Sequence, residues 1–279
     1  MLTNSTIIGT SGAIILPEFN TFAVQFGGFG IRWYAIAYLV GLLAGWYLLR
    51  REANHTESPL RCETVDILLN YVLFGVIVGG RIGYILFYNS GYYLAQPLAI
   101  FRVWEGGMAF HGALLGIAVA VLIMAKRHHV PFFLLTDRIA LVVPIGLFFG
   151  RLSNFINGEL YGRVTTVPWA MVFPTSNGQL RHPSQLYEAG LEGLLIGGIM
   201  LILWRRGWLQ QHGRVTGVFL TVYGLARGMI EFVREPDAQI GLLLDSVSMG
   251  QLLSVPMIVL GVYLVMRRSA LPAHPPAQR

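Results

Sequence analysis

Apolar residues in this chain come in long, nearly unbroken stretches joined by short polar connections, not in the period-two alternation of a half-buried strand. A helix needs about 20 mostly apolar residues to cross the hydrocarbon core of a bilayer. Seven segments reach or approach that length: roughly 31–49, 65–87, 108–125, 137–156, 184–204, 216–234 and 249–266. They are too long and too uniformly apolar for barrel strands, which alternate over about 10 residues. Backbone groups in lipid must be satisfied within the segment, which makes helices the default. The pattern predicts an all-α integral membrane protein of about seven transmembrane helices. No internal repeat is visible, so residues 1–279 read as one polytopic membrane domain.

Composition sharpens this reading. The chain has 279 residues, 54% hydrophobic and 12% charged, with a mean hydropathy of +0.59. A soluble domain carries about 25% charged residues. The net charge of +6 would suit nucleic acid only if the basic residues formed a patch on one face. Here they are scattered between apolar runs, so no nucleic-acid partner is expected. Cys62 is the lone cysteine, which excludes an internal disulfide. The first basic residue is Arg32, so the charged start of a secretory leader is missing. The opening MLTNSTIIGTSGAIILPEF, broken by Pro17 and Glu18, reads as an arm at the membrane interface.

Loop charge sets orientation, because cytoplasmic loops are enriched in Lys and Arg. Arg50, Arg51 and Arg61 follow the first span and Lys126 and Arg127 the third. Arg205, Arg206 and Arg214 follow the fifth, and Arg267 and Arg268 the seventh. These loops share one side, which places the N-terminus outside and the C-terminus in the cytoplasm. Yet Arg32, Arg102, Arg151, Arg163, Arg181 and Arg234 fall at outer ends of spans, against the rule, and so call for a role other than topology. The longest outer connection, 157–183, contains Pro168, Pro174, Gly178 and Pro183 and predicts a small turn-rich head on the outer side.

Polar residues gather on that outer side. The fourth span runs out into GRLSNFINGELYG, residues 150–162. Arg151 and Asn154, three apart, share a helix face, and Gly158 and Gly162 permit a break and a close approach. A guanidinium with amide donors suits a phosphate; the alternative is that Arg151 snorkels to the headgroups while Asn154 and Asn157 cap the helix. In the sixth span Tyr223, Arg227 and Glu231 form an i, i+4 stripe. An unpaired charge at that depth costs at least about 2.5–3.5 kcal/mol, so Arg227 is either half of a structural pair with Glu231 or part of a substrate cavity that Arg151 shares. Arg81, among glycines 79, 80 and 83, has a packing role or a substrate role, with Asp137 and Glu188 as candidate acids. His111, at the outer start of the third span, is the side chain best suited to exchange a proton near neutral pH. RHPSQLYEAGLE opens the fifth span and sets Glu188 and Glu192 one turn apart. Trp33 reads as an aromatic-belt anchor beside Tyr34. The histidines show no H-x-x-x-H pair and no cysteine cluster joins them, so no metal is expected, and no nucleotide motif calls for a cofactor.

Six ordered motifs, GGRIGYILFYN, FRVWEGGMAFHGALLG, GRLSNFINGELYGR, RHPSQLYEAGLEG, EFVREPDAQ and SMGQLLSVPMI, make the chain closely resemble the bacterial phosphatidylglycerol–prolipoprotein diacylglyceryl transferases over nearly its whole length. The resemblance implies a multi-pass enzyme of the bacterial inner membrane with its active site toward the periplasm. Its substrates would be phosphatidylglycerol and a prolipoprotein signal peptide with a lipobox cysteine. The products would be a thioether-linked diacylglyceryl group and glycerol phosphate. The family's functional residues map onto Tyr34, His111, Arg151, Asn154, Glu159, Gly162, Glu188, Tyr223, Arg227 and Glu231. His111, Arg151 and Arg227 are the expected catalytic residues. Arg151, Asn154, Asn157, Glu159, Gly162, Tyr34, Tyr223, Glu231, Arg81 and Glu188 are expected to line the lipid site. The chain departs from close relatives at Arg32, Ala113 and Ser153, all flanking positions. The rival reading from another class is an anion transporter or channel, but paired inverted halves with broken helices are not visible.

Overall fold

The computed structural model of the chain describes residues 14–267, apart from residues 21, 27–28, 57, 236–241 and 244–246. Most of the arm expected at the N-terminus therefore lies outside the described residues. The long helices are α1 (Trp33–Ala53), α2 (Cys62–Phe87), α3 (Phe110–Arg127), α4 (Phe132–Ile156), α5 (Ser184–Arg205), α6 (Arg214–Ile230) and α7 (Met249–Met266). All but α6 are long and apolar enough to cross a membrane. α6 has 17 residues, about 26 Å at 1.5 Å per residue, against a hydrocarbon core of about 30 Å. Its expected extension to residue 234 is not formed as regular helix: Val233 and Arg234 N–H still reach Ile230 O at 3.0 Å, but the same stretch of chain also bonds the loop at 162–163. Arg163 N–H donates to Val233 O at 2.8 Å, and Gly162 and Arg234 form an antiparallel bridge.

Burial is inverted relative to a soluble protein. Phe74, Leu86, Met229 and Val259 are each more than 60% exposed, while Arg81, Glu188, Glu192 and Arg138 are 4% exposed or less. Apolar side chains face outward where lipid would lie and charges are enclosed, the arrangement expected of membrane proteins.

Two compact units divide the chain. Trp46–Ile139 forms one, and the residues up to Gly45 together with those from Ala140 onward form the other, so α1 and α4 each run from one unit into the other. In the first, α2 and α3 pack along facing glycines. A Cβ on Gly83 would stand 2.6 Å from Gly112 Cα, and one on Gly75 would stand 2.7 Å from Gly116 O. Only small residues permit such backbone approach. Arg50 pairs with Asp66 at 2.8 Å, and the buried Arg138 pairs with Glu52 at 3.0 Å.

In the second unit, the first half of α1 meets the second half of α4, where a Cβ on Gly41 would be 3.1 Å from Gly146 Cα. α6 packs on α7 through Gly217 and Gly261. A three-stranded sheet joins β1 (Ile14–Ile15), parallel to β4 (Met171–Val172), which pairs antiparallel with β5 (Leu180–Arg181). β2 (Phe22–Phe26) and β3 (Phe29–Arg32) form a hairpin ahead of α1. β6 (Leu242–Leu243) and β7 (Val247–Ser248) form another, leading into α7. There Ser248 and Gln251 cap each other's backbone N–H, each bond 3.1 Å long.

Candidate active site

The segment from Arg151 to Gly162 is shaped where α4 ends. Asn157 N–H still reaches Ser153 O at 3.0 Å, and then Gly158 (φ +65°) and Leu160 (φ +58°) take left-handed conformations. Glycine adopts that region without cost; Leu160 does not, and its carbonyl is held by Ser184 Oγ at 3.1 Å. Gln185 Nε2 donates to Glu159 O at 2.8 Å, so the first turn of α5 fixes this loop. Gly162 is wedged between Val233 O and His182, whose Cβ would be 2.8 Å from any Cβ added there. No larger residue fits without moving one of the two strands of chain. Burial pushes the nearby His182 imidazole below its usual pKa.

Arg151 from α4 and Arg227 from α6 converge on two carboxylates of α5. Arg151 Nε pairs with Glu188 Oε2 at 2.7 Å and its Nη2 with Glu192 Oε2 at 3.3 Å. Arg227 Nη1 lies 3.7 Å from the same Glu188 oxygen and 3.9 Å from Glu192 Oε1, and Nη2 bonds Glu231, just past the end of α6. Arg234 adds a third guanidinium, 3.2 Å from Glu188 Oε2. Tyr223 is in electrostatic contact with Arg151, Arg227, Glu188 and Glu192. The carboxylates lie deepest, since Glu188 and Glu192 are fully buried, while the arginine side chains keep 12–18% exposure. The accessible rim of the cluster is therefore cationic.

Two backbone features build this cluster. α5 carries a π-helical turn at Ala189–Leu195, a distortion that recurs at functional sites, and Glu192 sits within it. At Gly193 the helix meets α4 so closely that a Cβ would be 2.6 Å from Phe148 Cβ. On the other side, a Cβ on Gly250 of α7 would be 2.5 Å from Glu231 Oε1, so the glycine makes room for that carboxylate.

A second polar chain runs beside the first. Asn154 Nδ2 donates to Tyr34 OH, Tyr34 in turn hydrogen-bonds Glu159, and Asn157 Nδ2 donates to Glu159 Oε1 at 3.0 Å. Tyr34, beyond any role as an interfacial anchor, links α1 to the loop after α4.

Arg81 and His111 belong to the other unit. Arg81 is enclosed by carbonyls: Nε to Ile100 O at 2.9 Å, Nη1 to Gly106 O at 2.5 Å and Gly107 O at 3.2 Å, and Nη2 to Ala99 O at 2.6 Å and Arg102 O at 3.1 Å. A guanidinium has five N–H donors, and all are engaged. The acid expected to pair with it is replaced by backbone, and among the described residues no carboxylate pairs with Arg81. His111 is exposed in the first turn of α3, which is tied down by Ala109 N–H donating to Gly80 O at 2.9 Å.

Sequence reasoning left Glu192 and Arg234 out of the site. The signal for Glu192 was its four-residue spacing from Glu188; for Arg234 it was a cation at a span end that loop charge reads as outer, where cations are not expected. Among the described residues no group of three His, Cys, Asp or Glu side chains is placed to hold a metal ion.

The family described as prolipoprotein diacylglyceryl transferase matches residues 21–267. Three relatives carry the name phosphatidylglycerol–prolipoprotein diacylglyceryl transferase. The protein of Rhodospirillum rubrum is 48% identical, covering 96% of this chain and 99% of the relative. That of Polynucleobacter asymbioticus is 49% identical over 92% and 98%, and that of Bradyrhizobium diazoefficiens is 46% identical over 90% and 92%. With a match of this extent and six helices fit to cross a bilayer, the chain belongs to the prolipoprotein diacylglyceryl transferase family.

Proposed function

We propose that this protein transfers the diacylglyceryl group of phosphatidylglycerol to the lipobox cysteine of prolipoprotein signal peptides, forming a thioether and releasing glycerol phosphate. This is the first step of bacterial lipoprotein maturation. The observation that carries the reading is the convergence of Arg151 and Arg227, from separate helices, on one buried cluster with a cationic rim. Transport is the weaker reading because near full-length relatives at 46–49% identity are named as diacylglyceryl transferases.

In this reading the thiol sulfur attacks the terminal glyceryl carbon, and the carbon–oxygen bond to phosphate breaks. The bonding pair leaves on the phosphate oxygen. Negative charge grows on that oxygen, so fixed cations aimed at it stabilise the transition state more than the ground state. Arg151, with Asn154 and Asn157, holds the lipid phosphate. Arg227 neutralises the departing glycerol phosphate, oriented by Glu231 and Tyr223. Glu188 fixes the guanidiniums, and Tyr34, Glu159 and Gly162 shape the loop beneath the headgroup. Arg81 supports the chain ahead of α3 and leaves phosphate contact to the others. The attacking thiol has an ordinary pKa near about 8.5, so its proton must leave; His111 is the residue suited to accept it.

α6 serves as the seventh span, and residues 1–279 act as one polytopic domain of the inner membrane. The N-terminus is outside, the C-terminus is cytoplasmic, and 157–183 is a periplasmic head over the site. The test is to incubate purified protein with phosphatidylglycerol and a lipobox peptide. A peptide heavier by one diacylglyceryl group, absent when the peptide cysteine is serine, supports transfer; anion flux into vesicles without a mass gain would support transport.

A further inference from the structure

Three guanidiniums, Arg151, Arg227 and Arg234, meet three carboxylates, Glu188, Glu192 and Glu231. With all six ionised, these described groups sum to zero charge before any substrate arrives. The three acids are not held alike. Glu188 is gripped by Arg151 Nε at 2.7 Å and by Arg234 at 3.2 Å, and Glu231 is bonded to Arg227 across one turn. Glu192 touches both arginines and holds neither firmly. Its Oε2 is 3.3 Å from Arg151 Nη2, and its Oε1 is 3.9 Å from Arg227 Nη1, beyond hydrogen-bond reach. Both of those atoms, Glu192 Oε1 and Arg227 Nη1, are buried without a hydrogen-bond partner.

Positioning of the guanidiniums is thus already supplied by Glu188 and Glu231. A third buried carboxylate is costly to maintain, and its weak geometry adds little definition. What it does add is negative charge, buried behind both arginines.

We propose that Glu192 is a counter-charge that sets how tightly Arg151 and Arg227 hold phosphate, keeping their grip loose enough for the product to leave. The inference rests on the reading above, in which the two arginines bind the lipid phosphate. Phosphatidylglycerol is a phosphodiester with a single negative charge. The glycerol phosphate released is a monoester, which carries about −1.5 to −2 at neutral pH. An uncompensated pair of guanidiniums would therefore hold product more strongly than substrate and stall after each turnover. The Glu192 charge weakens both, and weakens the more highly charged product most.

The experiment uses the full-length protein in detergent micelles, with phosphatidylglycerol and a lipobox peptide as substrates and glycerol 1-phosphate as the added inhibitor. In Glu192→Gln the inhibition constant for glycerol 1-phosphate should fall at least about tenfold, with KM for phosphatidylglycerol and kcat both reduced. Glu192→Asp, which keeps the charge, should stay near wild type in product inhibition. A Glu192→Gln protein with unchanged unfolding temperature but unchanged or weaker product inhibition overturns the proposal. So does a wild-type enzyme whose inhibition constant for glycerol 1-phosphate lies far below its KM for the lipid, a measurement that needs no variant. If wild type itself transfers nothing, the functional reading fails; if it transfers and Glu192→Gln does not tighten on product, the counter-charge alone fails.

Discussion

Removing the Glu188 carboxylate takes from Arg151, Arg227 and Arg234 the Oε2 atom they share. Breaking a buried pair from one side costs about 3–5 kcal/mol, because the abandoned charge stays desolvated. Glu188→Ala should therefore unfold at markedly lower temperature in detergent as well as losing transfer. Glu231→Ala, which abandons only Arg227, should lose less stability; equal losses would mean the cluster does not share its charges as described. Tyr34→Phe keeps the ring but removes the oxygen that accepts from Asn154 and reaches Glu159. Transfer should drop by about tenfold or more, the size of a lost hydrogen bond to a charged group, with little change in unfolding temperature. His182 carries a separate signature. Its folded-state pKa lies below the usual value of about 6.5, lowered by burial, so the fold favours the neutral ring. That stability is fully present above the unfolded value of about 6.5 and is lost as pH falls through the folded pKa. His182→Gln should flatten the drop in unfolding temperature between pH 7.5 and 5.5; an unchanged slope would assign the drop to other groups.

Elements in this protein meet through glycine. On Gly79 of α2 an added Cβ would collide with Gly112 O and stand 2.6 Å from Gly116 Cα, all backbone atoms that cannot turn aside. Gly79→Ala should destabilise by about 1–3 kcal/mol, the usual cost of overpacking, read as a lower unfolding temperature, whereas Gly198→Ala, where nothing lies within 4 Å of the new carbon, should not. The helices themselves were legible because each long apolar run has one economical structure in lipid. Segment 249–266 is α7 to the residue, and 184–204 differs from α5 at one end only. The sixth span was drawn too long, since apolar periodicity through residue 234 says nothing of the competing bridge from Gly162 to Arg234. Nor does AGLEGLL announce a π turn, within which Gly193 packs closely on Phe148, a contact between segments distant in sequence.

At the scale of the whole molecule, the charges of the interior are the informative part. Their presence was readable from an arginine deep in an apolar helix and from arginines at span ends that loop charge reads as outer, where they are not expected. Their pairing was not, because Glu188 had several arginines within plausible reach and no periodicity orders segments across the bilayer. Arg81 shows the limit most clearly: the sequence left packing and substrate roles open, with acids as candidate partners, and five carbonyls enclose it. The central claim is that the guanidiniums of α4 and α6 act together on a lipid phosphate. The most direct test is the initial rate of diacylglyceryl transfer to a lipobox peptide by purified Arg151→Ala, Arg227→Ala and the double variant, each checked for an intact fold. Each single change should slow transfer by about 10²–10³, and the double variant should be little worse than either alone, as for groups that act as one unit. Transfer retained near the wild-type rate by either folded single variant would contradict the account.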